Sequence, residues 1–510
     1  MVVGMHRRRV PWSVAAPGAL LPALVTAAGC SILYDPDNLP PLTDAVEVDA
    51  AIDAPLDADP SRLVLTGVSP AELDEGVGAG GGRPALIVLE GSAIVGAAAV
   101  AVELVGSDEP VPLVGFDATA DGTRGGLAVR VPVLPELAAG QTATLRITIT
   151  QGETVDTVDV TVRGLDELRL TAATMNSADL APRYSQIEVA SNIRFTGAAP
   201  VRLRATAGVV VDQRVDGDAQ GATPGPHGCP GGAVDNPGGC MAGGGRQGAN
   251  GSVLGLGTGS GGGGGGFAAQ GTAGSGMMPG QPGDVSGNDM LVPIESVAGT
   301  VGNRGNGGGG GGGGTLQAGG PGGGGGGVIL LEAGGDIAVG ASGALRVRGG
   351  DGAGNGGSGG GGSGGALLVR AGGAITAPGA WLSAPAGQGG TGNNAGGAGS
   401  VGRIRVDAAA GDVPSMATTP PAVRGPAWSP SVPSITTASS LAVELRGQPG
   451  RTFELRLDDQ PAGTATPGVA GTAVPTVTLR PGRNQLCAVA LAGQLLPESL
   501  ACVDIFHAGP

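Results

Sequence analysis

The chain reads as an all-β protein: an N-terminal immunoglobulin-like β-sandwich, a glycine-rich β-solenoid of the parallel β-helix kind, and a small C-terminal β-sandwich. Three observations lead there. Short runs of β-branched and aliphatic residues alternate with polar ones and are punctuated by Gly, Pro and Asp. A fixed order of strands recurs in the middle of the chain at a nearly constant interval. Glycine supplies 105 of the 510 residues, concentrated between Gly221 and Gly399 and without the three-residue period of collagen.

The first sandwich is expected over 61–165. Its strands are Leu63-Val64-Leu65, Ala85 to Leu89, Ala99 to Leu104, Gly126 to Val131, Thr144 to Ile149 and Val158 to Val162. Gly67-Val68-Ser69-Pro70, followed by Leu86-Ile87-Val88-Leu89-Glu90-Gly91-Ser92, resembles the opening of an IPT/TIG immunoglobulin-like domain; Val129-Arg130-Val131-Pro132, the turn at Gly140 and the strand from Thr144 to Thr150 are similar to its later part. The resemblance implies a spacer, adhesive or binding module with no catalytic residues.

The solenoid is expected over 168–410. Gly326-Gly327-Val328-Ile329-Leu330-Leu331-Glu332-Ala333 aligns with Gly364-Gly365-Ala366-Leu367-Leu368-Val369-Arg370-Ala371, 38 positions on, and with Val401-Gly402-Arg403-Ile404-Arg405-Val406-Asp407-Ala408, a further 37. Shorter strands follow in step: Asp336 to Val339 with Ala374 to Ala377, and Ala344-Leu345-Arg346-Val347 with Ala380-Trp381-Leu382-Ser383. Val201 to Arg204 and Val209 to Asp212 form an earlier coil, before a long loop insertion at 221–327. The glycine runs Gly261–Gly266, Gly307–Gly314, Gly322–Gly327 and Gly359–Gly362 read as ordered elements in which the missing Cβ matters, either at turns with positive φ or in threefold extended strands packed side by side, with flexible loops on the solenoid as the alternative. Gly322–Gly327 and Gly359–Gly362 fall at the same phase of the repeat, just ahead of its longest strand. Glu332 and Arg370, at equivalent places in adjacent coils, are expected to form a surface ion pair worth at most about 1 kcal/mol. The region resembles the parallel β-helix class, and in style glycine-rich bacterial surface proteins. A Pro-rich linker at 411–430 leads to the second sandwich at 431–510, whose strands include Leu441 to Arg446, Phe453 to Leu457, Pro475 to Leu479, Leu486 to Ala490 and Cys502 to Phe506.

Composition excludes much chemistry. The net charge is −15, all 28 basic residues are Arg, and there is no basic patch to attract nucleic acid. Without Lys there is no P-loop or Schiff-base lysine. His6, His227 and His507 are the only histidines, too few for the usual triads and zinc helices. Matches to G-x-G-x-x-G carry no weight in glycine-rich text, and no cofactor or catalytic residue is expected. The chain is read as a non-enzyme, with a carbohydrate-active β-helix enzyme as the alternative.

The N-terminus reads as an export signal over 1–29. Arg7-Arg8-Arg9 precede an apolar stretch from Val10 to Ala28, broken by Pro11, Pro17 and Pro22, and Ala27-Ala28-Gly29-Cys30 closes it. That last motif resembles a bacterial lipobox, with Ala27 where Leu is usual. The resemblance implies an acylated Cys30 and a membrane attachment, and Ser31 in place of Asp favours the outer membrane. The competing reading is an ordinary secretory signal. Residues 30–60 are an acidic tether, with eight acids and no base between Asp35 and Asp59. The remaining cysteines form two local pairs, Cys229 with Cys240 and Cys487 with Cys502, as suits an oxidising compartment. A metal site from His227, Cys229 and Cys240 is the alternative for the first pair. The expected role is a structural, adhesive or binding one at the cell envelope, toward a protein or polysaccharide.

Overall fold

The computed structural model describes residues 62–509 except 108, 240–242, 249, 252–257, 295–302, 305–318, 355, 380, 412–417 and 495. The protein is all-β, and residues Ala58–Pro510 form one unit. The expected export signal, Cys30 and the acidic tether lie outside the described residues.

The N-terminal sandwich packs two four-stranded sheets. One contains Val64–Ser69, Ala85–Ser92, Arg124–Val129 and Leu113–Ala118; the other contains Glu72–Asp74, Thr154–Arg163, Thr142–Gln151 and Ala99–Leu104. Alternation decides which side chains go inside: Leu145, Ile147 and Ile149 are fully buried while their neighbours are half-exposed. They meet Ile87, Leu89, Leu127 and Val129 from the facing sheet.

The middle of the chain is a curled parallel sheet wound into a solenoid with three faces. The first face stacks Val201–Ala205, Val328–Ala333, the start of Ala366–Thr376, and Arg403–Ala410. The second stacks Leu168–Leu170, Ile187–Val189, Val209–Val211, Ile337–Val339 and the end of Ala366–Thr376. The third stacks Thr174–Asn176, Ile193–Thr196, Arg214–Asp216, Ala344–Arg346 and Leu382–Ser383. Aligned aliphatics, among them Leu203, Leu331, Val369 and Val406, line the inside. The first-face register matches the sequence repeat, since Leu330 pairs with Leu368 and Leu368 with Arg405. The third face corrects it by one residue: Leu345 pairs with Leu382, not Trp381. The corner from Ile375 to Leu382 is one residue shorter than that from Ile337 to Leu345, and the buried Leu must stay on the inner side of the pleat.

First-face strands are apolar on both sides for a structural reason. Ile329, Leu331, Leu367 and Val369 point into the solenoid, while Val328, Leu330, Ala366 and Leu368 are covered from outside by Phe267, Leu291 and Ile294 of the 221–327 segment. A strand buried on both faces loses its alternation. Where it is described, the expected loop insertion is therefore a packed part of the structure.

Glycine is ordered, and it is ordered as threefold strands. In Gly359–Gly362 an added Cβ would lie 2.0 Å from the carbonyl O of Pro321, 2.0 Å from that of Gly263, 2.3 Å from that of Gly387 and 1.9 Å from that of Gly324. Positions 359 and 362 thus meet the same neighbour, and 360 and 361 meet two others. Amide bonding repeats every third residue as well: Gly320, Gly323 and Gly326 donate to Gly357, Gly360 and Ser363, while Gly322, Gly325 and Val328 donate to Gly232, Cys229 and Pro226. An extended helix with about three residues per turn has no internal hydrogen bonds and directs its peptides outward in three directions, as seen here. None of the glycines in Gly261–Gly266, Gly322–Gly327 or Gly359–Gly362 has positive φ, so packing and not turn geometry selects glycine. The run Gly307–Gly314 lies outside the described residues.

The C-terminal sandwich has a five-stranded sheet of Ile435–Thr436, Cys502–His507, Gly482–Val489, Phe453–Leu457 and Gln460–Ala465, faced by shorter sheets. Two expectations change. Leu441 to Arg446 is not one strand; Ser440–Ala442 pairs with Thr476–Thr478, whereas Leu445–Arg446 pairs with Ala427–Trp428 and Thr472–Ala473. The chain bends at Val443, whose buried side chain anchors the core and whose amide donates to the Pro475 carbonyl. The 411–430 stretch is also no free linker where described: Thr419 and Val423 bridge to the solenoid, and Trp428 is buried in the C-terminal core.

Gly360→Ala should destabilise the protein by at least about 2 kcal/mol, because the new methyl collides with backbone that cannot rotate away. Gly379→Ala, where a Cβ meets nothing within 4 Å, should be neutral or stabilising by about 0.4–1 kcal/mol. Equilibrium denaturation of the two variants separates packed glycine from flexible glycine; equal effects would show the packing to be unimportant.

Candidate functional site

The outward side of the first face carries a column of alternating charge. Arg204, Glu332, Arg370 and Asp407 stand in register on four successive coils. Arg370 Nη1 donates to Glu332 Oε2 at 3.3 Å, and Arg370 Nε to Asp407 Oδ2 at 3.2 Å. This ion pair was expected at the surface; it is buried instead, with the Arg370 side chain 4% exposed and Glu332 12%. The C-terminal domain covers it, a tertiary contact that coil spacing does not reveal.

Arg405, fully buried, completes the cluster. Its Nε and Nη2 hold the two oxygens of Asp407 at 3.0 and 2.6 Å, Nη2 also reaches Glu498 Oε2 at 2.8 Å, and Nη1 donates to the Met290 carbonyl at 2.7 Å. The Gly425 amide donates to Asp407 Oδ1 at 2.6 Å. Burial opposes ionisation of Glu498, but the charges of Arg370 and Arg405 outweigh it and leave the carboxyl below its ordinary value. The cluster ties together the solenoid, the 221–327 segment and the C-terminal domain. With every acid bonded to a guanidinium, the geometry is that of a clamp.

Two concavities accompany it. A groove of about 520 Å³ runs along the second face beneath the loop at Ala79 and Gly80, with Glu167, Glu188 and Asp336 in its wall. Glu188 is held by Arg169 Nε at 3.1 Å, and Asp336 Oδ1 accepts the Ala374 amide at 2.7 Å. A cavity of about 240 Å³ lies where the two sandwiches and the first face meet, walled by Arg83, Arg183, Arg204 and Glu332.

The cysteines divide. Cys487 and Cys502 lie opposite each other on adjacent antiparallel strands and are bridged. Cys229 is buried in the glycine lattice, where its carbonyl accepts the Gly325 amide at 2.8 Å. Cys30 and Cys240 lie outside the described residues, and so do their expected lipidation and pairing. Among the described residues no group of three His, Cys, Asp or Glu is placed to hold a metal ion. Sequence reasoning missed Glu498 and the Arg83–Arg204 cavity, because each is assembled from segments far apart in the chain.

No family model, curated protein or solved structure matches this chain.

Glu498→Gln should cost about 1–3 kcal/mol at pH 7, the loss of a charged partner for two buried guanidiniums. A carboxyl whose folded pKa is depressed stabilises above its unfolded value and stops doing so as pH falls through the folded one. The gap between wild type and variant should therefore close below pH 4.5, the ordinary value of this group. Denaturation midpoints at both pH values check this; a gap independent of pH would remove the electrostatic account. Cys487→Ser with Cys502→Ser should lower stability by about 3 kcal/mol, as expected for opening a loop of 15 residues. Peptide mapping without reduction, paired with denaturation of the double variant, reads both the bridge and its effect.

Proposed function

We propose that the protein is a non-enzymatic cell-envelope lipoprotein: exported, attached to the membrane through Cys30, and serving as a rigid structural or adhesive scaffold that meets a protein or polysaccharide partner. The observation that carries this reading is the glycine lattice. Many residues are given to strands without side chains, hydrogen-bonded through their backbones, which stiffens the molecule and presents little reactive chemistry. The buried charges on the first face are engaged with one another, in keeping with a mechanical role.

Other features agree. The N-terminal sandwich has the layered form that its IPT/TIG-like motifs imply, and such modules serve as spacers and adhesive units. The Cys487–Cys502 bridge suits an oxidising compartment. The signal-like start, the lipobox-like Ala27-Ala28-Gly29-Cys30 and the acidic stretch after it supply an address and a tether. Acyl chains contribute about 0.8 kcal/mol per buried CH₂, so more than one chain on Cys30 would hold the protein firmly. The carbohydrate-active alternative has the second-face groove on its side, but Glu188 and Asp336 there are already held by Arg169 and by a backbone amide.

Cys30→Ser should release the protein from the membrane fraction or leave it with its signal uncleaved. The wild-type N-terminal peptide should carry the added mass of acyl chains. Unchanged membrane retention of the variant, together with an unmodified wild-type peptide, would refute the anchor. Digestion of intact cells by an external protease distinguishes a surface position from a periplasmic one.

A further inference from the structure

The junction cavity has a wall richer in Arg than in acids. The protein is acidic, with net charge −15, yet this wall presents Arg83, Arg183 and Arg204 against one acid, Glu332. Glu332 is already engaged by Arg370 Nη1. Arg183 is paired with Asp74, and Asp74 is shared with Arg163.

The other two guanidiniums make no ion pair among the described residues. Arg83 donates Nη1 to the Val432 carbonyl at 3.1 Å and Nη2 to the Ser429 carbonyl. No carboxylate lies within ion-pair distance of it among the described residues, and burial alone lowers its pKa to about 10. Arg204 Nε is buried with no hydrogen-bond partner, although Glu332 stands beside it in the strand register. Guanidinium N–H groups left without acceptors in a desolvated place are costly, and an uncompensated buried charge more so.

Water in the cavity would solvate the guanidinium groups that reach its wall but would leave their charge without a carboxylate partner. An oxyanion answers both, and the planar guanidinium fork matches its two oxygens. The volume limits the choice further. At about 240 Å³ the cavity is smaller than the roughly 300–1,000 Å³ of sites for drug-sized molecules. It suits a small ligand or the end group of one.

We propose that the junction cavity is a binding site for a small oxyanion, a carboxylate or a phosphate or sulfate group, held by Arg204 and Arg83 with Arg183 in the wall. Its walls come from the N-terminal sandwich, the solenoid and the C-terminal domain, so an occupant contacts all three at once. Binding to the folded state alone then raises the stability of the junction. The site is independent of the attachment at Cys30, and its failure would leave the anchoring experiment untouched.

The test uses the full chain, purified in detergent and dialysed free of oxyanions. It is titrated with sodium acetate, inorganic phosphate or sodium sulfate at an ionic strength held constant with sodium chloride. Calorimetric titration and the thermal midpoint are the readouts. The expected result is saturable binding of at least one oxyanion and a raised midpoint that chloride does not reproduce. Preference for acetate identifies a carboxylate ligand, and preference for phosphate or sulfate a tetrahedral one. Arg204→Gln should weaken binding about tenfold or more, the effect of losing one charge-assisted hydrogen bond. Arg169→Gln, on the second face, should leave it unchanged. No saturable response from the wild type to any of the three anions overturns the proposal, whether or not the Arg204 variant folds. Unaltered affinity in a folded Arg204→Gln protein overturns it too, as does equal weakening by Arg169→Gln.

Discussion

Backbone meeting backbone, with no Cβ between, is the contact on which the middle of this protein depends. In the glycine-rich segments every third peptide N–H of a strand reaches a carbonyl of the same neighbour, and the strands approach so closely that most side-chain positions are filled by another strand's backbone. Glycine is an expensive residue to order, by about 0.5–1 kcal/mol relative to Ala in regular structure. Peptide hydrogen bonds formed away from water, each contributing about 1 kcal/mol net, offset that penalty only if nearly all the groups find partners. Glycine sharing three neighbours per turn achieves this where a larger residue could not enter. The arrangement tolerates little substitution and for the same reason has little freedom to move.

The lattice and the solenoid continue into one another. Gly322–Gly327 runs directly into the strand Val328–Ala333, and Gly359–Gly362 is followed two residues later by Gly364-Gly365 and the strand from Ala366. The chain passes from threefold extended packing to β pairing where side chains reappear. Hydrophobic burial then takes over: Ile329, Leu331, Leu367 and Val369 fill the interior, while Phe267, Leu291 and Ile294 cover the outside. The C-terminal domain closes the next part of the same face through Arg405, Asp407 and Glu498. The two sandwiches also touch directly, with Phe506 against Gly126, where a side chain on the glycine would overlap the ring.

Charged groups are distributed unevenly over this layout. The interior of the lattice is backbone, and Glu332, Arg370, Asp407, Arg405 and Glu498 on and against the first face are paired with one another. At the seam between the three parts, among the described residues, Arg83 bonds only to backbone carbonyls and Arg204 Nε has no hydrogen-bond partner.

The sequence by itself determined the all-β class, the order of sandwich, solenoid and sandwich, and the first-face register from Leu330 through Leu368 to Arg405. These follow from local periodicity: alternation in strands and a repeat that survives in one coil after another. It also pointed to Cys487 opposite Cys502, since two consecutive strands place them there. Tertiary structure alone decided which glycine reading was correct, because packing without a Cβ and turning with positive φ leave the same letters in the sequence. It moved the Glu332–Arg370 pair from surface to interior, since the covering residue Glu498 is more than a hundred positions away. The one-residue shift at Leu382 and the bend at Val443 belong with these. Each depends on which distant strand a side chain must face, and that is information no local pattern carries.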